Sequence, residues 1–388
     1  MSDALERIRQ LLSKAQTYLT ARRFDTVLQL ASQALVLIEK AMGLSSAVAG
    51  APSGAFDAAF AEEHISALEL RGMARRHLGQ LPASIEDLML AVGLRRVLAE
   101  EEELPSNDLA VALHNLGNTL LALGNAWALA KAQEVYGEAI AIRETLMKTP
   151  GHGYVANDLA GTYKARANIE CLRARHGQPA DLKRARADLE RALALRQQLV
   201  DVEGRKEFTG ALAMTRYSLG DLHGMQFEFG TAVRLLSEAL AAMQPLVASG
   251  QRHLRDDLAL CLSARVLYGI GAAETMPGHP WPVDEAVAAA KLYGELVAEG
   301  RADQCAAYGE FVSQRLTPCL YKAGRRDLAA QSLAQALQRV LDQADKTGAE
   351  VFVATAAAML ALPGPVRDEL RSASSALHVQ IARLEALS

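Results

Sequence analysis

The chain has 388 residues, 41 basic and 45 acidic side chains, a net charge of −4 at pH 7, 50% hydrophobic residues and 5% aromatics. A chain this apolar and this lightly charged buries enough surface to offset the entropy of ordering its backbone, which excludes an intrinsically disordered class. The slight acidic excess argues against a basic nucleic-acid-binding surface, and no run of about 18 apolar residues is free of charge, so no membrane span is expected. Residues Met1–Leu12 carry Asp3, Glu6, Arg7 and Arg9 where a secretion signal would be apolar, which makes the cytoplasm the expected compartment. Cys171, Cys261, Cys305 and Cys319 form no CxxC pair and read as buried free thiols.

In chain order, the apolar spacing predicts helix pairs over roughly residues 4–41, 56–103, 107–148, 155–201, 206–248, 255–299 and 302–345. Two closing helices are expected over roughly 348–362 and 366–386, after Gly348 and the break Pro363-Gly364-Pro365. Gly43–Ala55 reads as a flexible loop. Pro245 is expected to kink or end its helix, and Pro318 to interrupt one.

The pairs repeat. Leu-Ala opens a helical pattern at Leu109, Leu159, Leu212 and Leu258, at intervals of 50, 53 and 46 residues, preceded by Asp108, Asp158 and Asp257 in three cases. An aspartate there fits a helix N-terminus, where it accepts backbone N–H bonds and meets the positive end of the dipole. Small residues recur where helix axes must approach to about 8 Å: Gly117, Ala167 and Gly220 in the first helix of successive pairs. The second helices carry small-large-small sets at spacings of four and three: Val27, Ala31, Ala34; Ser84, Leu88, Ala91; Ala132, Tyr136, Ala139; Ala185, Leu189, Ala192; Ala232, Leu236, Ala239; and Ala329, Leu333, Ala336. The pair at 255–299 has no clean copy, and extra residues fall between the helices of 107–148, Trp127 among them.

"ALHNLGNTLLALG" followed by "AQEVYGEAIAIRE" resembles the tetratricopeptide repeat, in the long form of kinesin light chains and many bacterial proteins. The resemblance covers most of the chain. It implies an all-α, right-handed superhelical solenoid of about seven helix pairs over 1–346, closed by capping helices over 347–388 that continue the array.

No HExxH, GxxxxGK[ST], strand-borne GxGxxG or GxSxG occurs, and no two histidines stand at metal-ligand spacing, so neither an enzyme nor a cofactor or metal is expected. The run Glu100–Glu103 reads as a solvated face. The resemblance implies that first helices line a concave groove through positions 2, 5, 9 and 12. With Ala110, Ala160 and Ala213 at position 1, position 5 is His114, Lys164 and Tyr217, and position 9 is Asn118, Asn168 and Asp221. Positions 5 and 9 share a helix face. Asparagine is a poor mid-helix residue, and its amide can bond both the N–H and the C=O of an extended peptide. A groove that binds a peptide or protein segment is the expected function; the alternative is that these amides serve neighbouring helices. Lys164 with Asn168 resembles half of a carboxylate clamp, but Ser218, Leu260 and Ala264 stand where the other half would be. Trp281, in the proline-rich connection Gly271–Pro282 with Met276 and His279, either reaches a partner or covers its own helix pair. Self-assembly through the outer helices is the second functional expectation.

Overall fold

The computed structural model describes residues 2–42, 60–99, 106–348 and 350–387. The expected loop Gly43–Ala55 and the acidic run Glu100–Glu103 lie outside them. Among the described residues all regular structure is helical, and the chain divides into two compact units, Met1–Arg196 and Gln197–Ser388.

The first unit holds four helix pairs: α1 (Ser2–Thr20) with α2 (Phe24–Ala41), α3 (Ala61–His77) with α4 (Leu81–Ala99), α5 (Asn107–Leu123) with α6 (Ala126–Met147), and α7 (Ala156–Arg175) with α8 (Leu182–Gln197). Local chemistry sets the ends. Ser106 caps α5 by accepting the Asp108 N–H at 3.2 Å, Gly124 closes it at φ +70°, and Asn125 caps α6 by accepting the Ala128 N–H at 2.9 Å. The aspartates expected as caps lie instead in the first turns of their helices, where they meet the dipole without capping it. The two-residue turn Gly124-Asn125 also corrects the place of Trp127, which lies in the first turn of α6, 57% exposed, and not in a loop. The extra residues of this pair are absorbed as helix.

All six small-large-small sets are buried. A large side chain of the second helix fits over a small residue of the first, and the fit recurs along the chain. A Cβ added to Gly72 would lie 2.8 Å from Leu88 Cγ, one on Gly117 would lie 2.5 Å from Tyr136 Cε1, and one on Gly220 would lie 3.1 Å from Leu236 Cγ. Burying Leu88, Tyr136 or Leu236 in this way contributes roughly 1.5–3 kcal/mol each, so the seam is where each pair is held.

The second unit holds α9 (Thr209–Met225) with α10 (Phe229–Ala248), α11 (Arg255–Thr275) with α12 (Val283–Ala298), and α13 (Cys305–Phe311) and α14 (Thr317–Lys322) with α15 (Arg326–Thr347). Pro245 stays inside α10, in its last turn. Pro318 does not interrupt its helix: a π turn, Val312–Leu316, joins α13 to α14, and the carbonyl of Gln314 that the proline ring would crowd lies inside this wider turn. The pair lacking a clean small-large-small set still buries Ala286, Ala289 and Tyr293 on α12. After α15 the chain forms three helices where two were expected: α16 (Glu350–Met359), α17 (Gly364–Ala373) and α18 (Ser375–Leu387). The break falls at Ser374, whose extended backbone lets its hydroxyl accept the Leu377 N–H at 3.2 Å. Phe352, Met359, Leu370, Leu377 and Ile381 from these helices complete the core around α15.

All four cysteines are buried free thiols. Among the described residues one helical stretch, Arg252–Thr275, is long and apolar enough to cross a membrane. Its Leu258, Cys261, Leu262 and Val266 belong to the core of the second unit, and its Arg265 pairs with Glu285 at 3.2 Å.

Gly117→Ala is expected to destabilise the chain by about 1–3 kcal/mol, because the new methyl group overlaps a tyrosine ring with no room to retreat. Urea unfolding measures this; an unchanged midpoint would mean that α5 and α6 are not held at this separation.

Candidate functional site

In the first unit the second helices carry a recurrence that the Leu-Ala alignment does not capture. Seven residues beyond the large seam residue stand Arg95, Arg143 and Arg196. Each reaches back to the start of its own first helix. Arg95 Nη1 donates to both carboxylate oxygens of Glu62 (2.9 and 2.7 Å), Arg143 Nε to Asn107 Oδ1 (3.2 Å) and Arg196 Nε to Asn157 Oδ1 (3.1 Å). The first two also reach the next pair: Arg95 Nη1 lies 3.9 Å from Asp108 Oδ2, and Arg143 Nη1 donates to Thr162 Oγ1 and, at 3.4 Å, to the Asp158 carbonyl. Arg143 is 2% exposed. Each partner of its guanidinium among the described residues is a neutral oxygen.

This tie fixes the chemistry of His114. The Thr162 hydroxyl gives its one proton to the Asp158 carbonyl at 2.9 Å, so it can only accept from His114 Nδ1 at 3.1 Å. The imidazole is therefore the Nδ1–H tautomer, with Nε2 left as an acceptor. Burial, followed by the charges of Arg143, Arg76, Lys164 and Arg196, pushes its pKa down to about 3, and the ring is neutral at physiological pH. Lys164 lies on α7 one turn before Asn168. Asn168 is half-buried, and its side chain forms no hydrogen bond among the described residues. Asn118 is engaged on one side only: its Oδ1 accepts from Tyr136 Oη at 2.8 Å, which leaves its N–H donors. His114, Asn118, Lys164 and Asn168 thus stand on α5 and α7 of one unit.

The other expected residues stand in the second unit. Asp221 is 8% exposed and accepts from Tyr268 Oη at 2.7 Å. Tyr217 packs against two apolar clusters of that unit. Trp281 is half-buried and packs against the core of that unit. Met276 is 41% exposed, and His279 Nδ1 lies 3.1 Å from the Pro280 carbonyl. Sequence reasoning passed over the arginine ties, although an arginine seven residues beyond each of Leu88, Tyr136 and Leu189 was a readable signal. Among the described residues no group of three or more His, Cys, Asp or Glu side chains is placed to hold a metal ion.

The small-on-large seam recurs in three helix pairs, at Gly72 with Leu88, Gly117 with Tyr136 and Gly220 with Leu236. The described residues form consecutive helix pairs, the all-helical arrangement expected from the sequence. Solved structures similar to it include a Podosopora anserina putative kinesin light chain with nearly identical TPR-like repeats (17% identity, 61% of this chain and 95% of that chain, TM-score 0.40). The apo form of RapI is similar at 11% identity over 96% of this chain and 98% of that one, with a TM-score of 0.44. BtubC from P. vanneervenii is similar at 19% identity over 64% and 92%, with a TM-score of 0.41. No protein-family model and no curated protein matches the chain.

The depressed pKa of His114 makes the stability of these helix pairs pH-dependent. Below about pH 6.5 the unfolded chain takes up a proton that the folded chain refuses until about pH 3. The contribution of this ring is complete above that range and is lost as pH falls, by at most about 1.4 kcal/mol per pH unit. Urea unfolding at about pH 7 and pH 5 is expected to show His114→Gln losing less stability on acidification than the natural chain; equal losses would mean that the folded state accepts the proton.

Proposed function

We propose that the chain is a non-catalytic protein-interaction scaffold whose first helices α5 and α7 receive an extended segment of a partner protein. The observation that carries this reading is Asn168. A mid-helix asparagine costs helix stability, and this one has no hydrogen-bond partner among the described residues to offset that cost. It shares a helix face with Lys164, beside His114 with its Nε2 acceptor and Asn118 with its remaining N–H donors. An amide, a cation and an acceptor on one strip supply donors and acceptors for the backbone of an extended chain, and each such bond contributes about 0.5–1.5 kcal/mol net. The test is affinity purification from a native lysate with quantitative mass spectrometry. Lys164→Ala with Asn168→Ala is expected to deplete the partners of the natural chain by roughly tenfold or more. The outer-face control Glu134→Ala is expected to retain them. Partners kept in the double variant would remove this strip from the function.

A second reading, self-assembly, is favoured by α4, which exposes Met89 (48%), Leu90 (41%) and Val97 (49%). In this reading these side chains meet a second copy. Sedimentation velocity at tens of micromolar is expected to show an oligomer that Leu90→Lys dissociates; a monomer throughout that range excludes it.

A further inference from the structure

Arg95 faces more carboxylates than its guanidinium engages. Its side chain, on α4, is 10% exposed, and three acids stand around it: Glu62 and Glu69 from α3, and Asp108 from the first turn of α5. Nη1 donates to both oxygens of Glu62 and lies 3.9 Å from Asp108 Oδ2. Glu69 Oε1 stands 3.9 Å from Nε, too far for a hydrogen bond, and that Nε is a buried donor with no partner among the described residues. The side chains of Glu62 and Asp108 are 62% and 68% exposed, so water solvates their charges; that of Glu69 is 16% exposed. Burial pushes the Glu69 carboxyl up from its ordinary 4.5 to about 7; Arg95 opposes the rise, and Asp108 and Glu62 add to it. The other charges on α3 and on the helices packed against it are engaged elsewhere. Arg9 of α1 pairs with Glu63 at 2.7 Å, Glu39 of α2 acts on His64, and Asp87 of α4 is held by Arg71 and Arg75.

We propose that the Glu69 carboxyl is a proton-operated switch at the joint of α3, α4 and α5, competing with Glu62 and Asp108 for Arg95 when ionised and leaving Arg95 to them when protonated. Protonated, it is a neutral group beside an idle Nε. Ionised, it is the acceptor that Nε lacks, and one guanidinium then serves three anions. Asp108 opens α5, so the competition bears on the hold between the second and third helix pairs. The carboxyl is partly exposed, and its proton passes to and from water. A carboxyl whose folded pKa lies above its unfolded one favours folding in acid: its contribution is complete below about pH 4.5 and is lost as pH rises through about 7. This sense is opposite to that of His114. The inference goes beyond the scaffold reading and does not depend on it.

The test is urea unfolding of the full chain and of Glu69→Gln at steps from about pH 5.5 to about pH 8.5. Glutamine keeps the shape of the protonated acid and cannot ionise. The folding constant of Glu69→Gln is expected to gain on that of the natural chain by roughly tenfold or more across this range. His114 is present in both chains and cancels in the ratio. Asp108→Asn, at an exposed position, removes one competing anion and is expected to gain by a smaller factor. Hydrogen exchange at the start of α5, corrected for its intrinsic pH dependence, is expected to quicken with pH in the natural chain and not in Glu69→Gln. A merely structural role for Glu69 changes stability by the same factor at every pH, so a constant ratio would overturn the proposal; should Glu69→Gln fail to fold, a constant ratio for Asp108→Asn would do so. Exchange that follows pH equally in both chains would overturn it as well.

Discussion

The first unit depends on a guanidinium that is almost wholly buried, that of Arg143. Arg143 lies between the start of α5 and the second turn of α7, and its planar fork supplies donors to acceptors on both helices at once. A lysine in the same place would offer one point of charge on a flexible stem and could not bridge two rods with fixed geometry. Burying a charge this deeply is costly unless its donors are satisfied. Asn107 engages Nε, and Asp158 and Thr162 engage Nη1, which ties the start of α5 to the second turn of α7. The corresponding position in the first pair of the second unit is Met243, fully buried and apolar. The same seam is closed there by packing alone.

A polar tie leaves consequences that an apolar seam does not. Because Thr162 donates to Asp158 and accepts from Arg143, His114 is fixed as the Nδ1–H tautomer, and the neutral ring adds no charge to the cations around it. In the second unit, position 9 of the repeat serves the fold: Asp221 meets the hydroxyl of Tyr268. In the first unit Asn118 is half committed in the same way, to Tyr136. Asn168 meets no tyrosine and keeps its amide. Three residues that are equivalent in the repeat therefore have three different availabilities, decided by whether a tyrosine from a neighbouring helix arrives.

The helix pairs were legible in the sequence because helix formation and seam packing are periodic. Ala132, Tyr136 and Ala139 announce a buried stripe by their spacing, and Gly117 announces the helix that must lie against it. The ends of elements were less legible. The serine at 374 splits a closing region that composition alone read as one helix, and the π turn at Val312–Leu316 accommodates a proline that local rules would treat as a stop. The first follows from a local cap, the Ser374 hydroxyl accepting the Leu377 N–H, and the second from the wider π turn. Trp127 and the extra residues near it were misplaced for a related reason: an insertion counted along the chain does not say whether it lengthens a loop or a helix.

What the sequence determined by itself was the class of the molecule and the pairing of its helices, since both come from apolar period and the positions of small side chains, which act over a few residues. What only the tertiary structure decided was which polar side chains remain available. That depends on encounters between residues far apart in the chain, Arg143 with Thr162, Tyr136 with Asn118, Tyr268 with Asp221. A hydrogen bond is satisfied or open according to atoms a few ångströms away, and no periodicity along the chain records that distance.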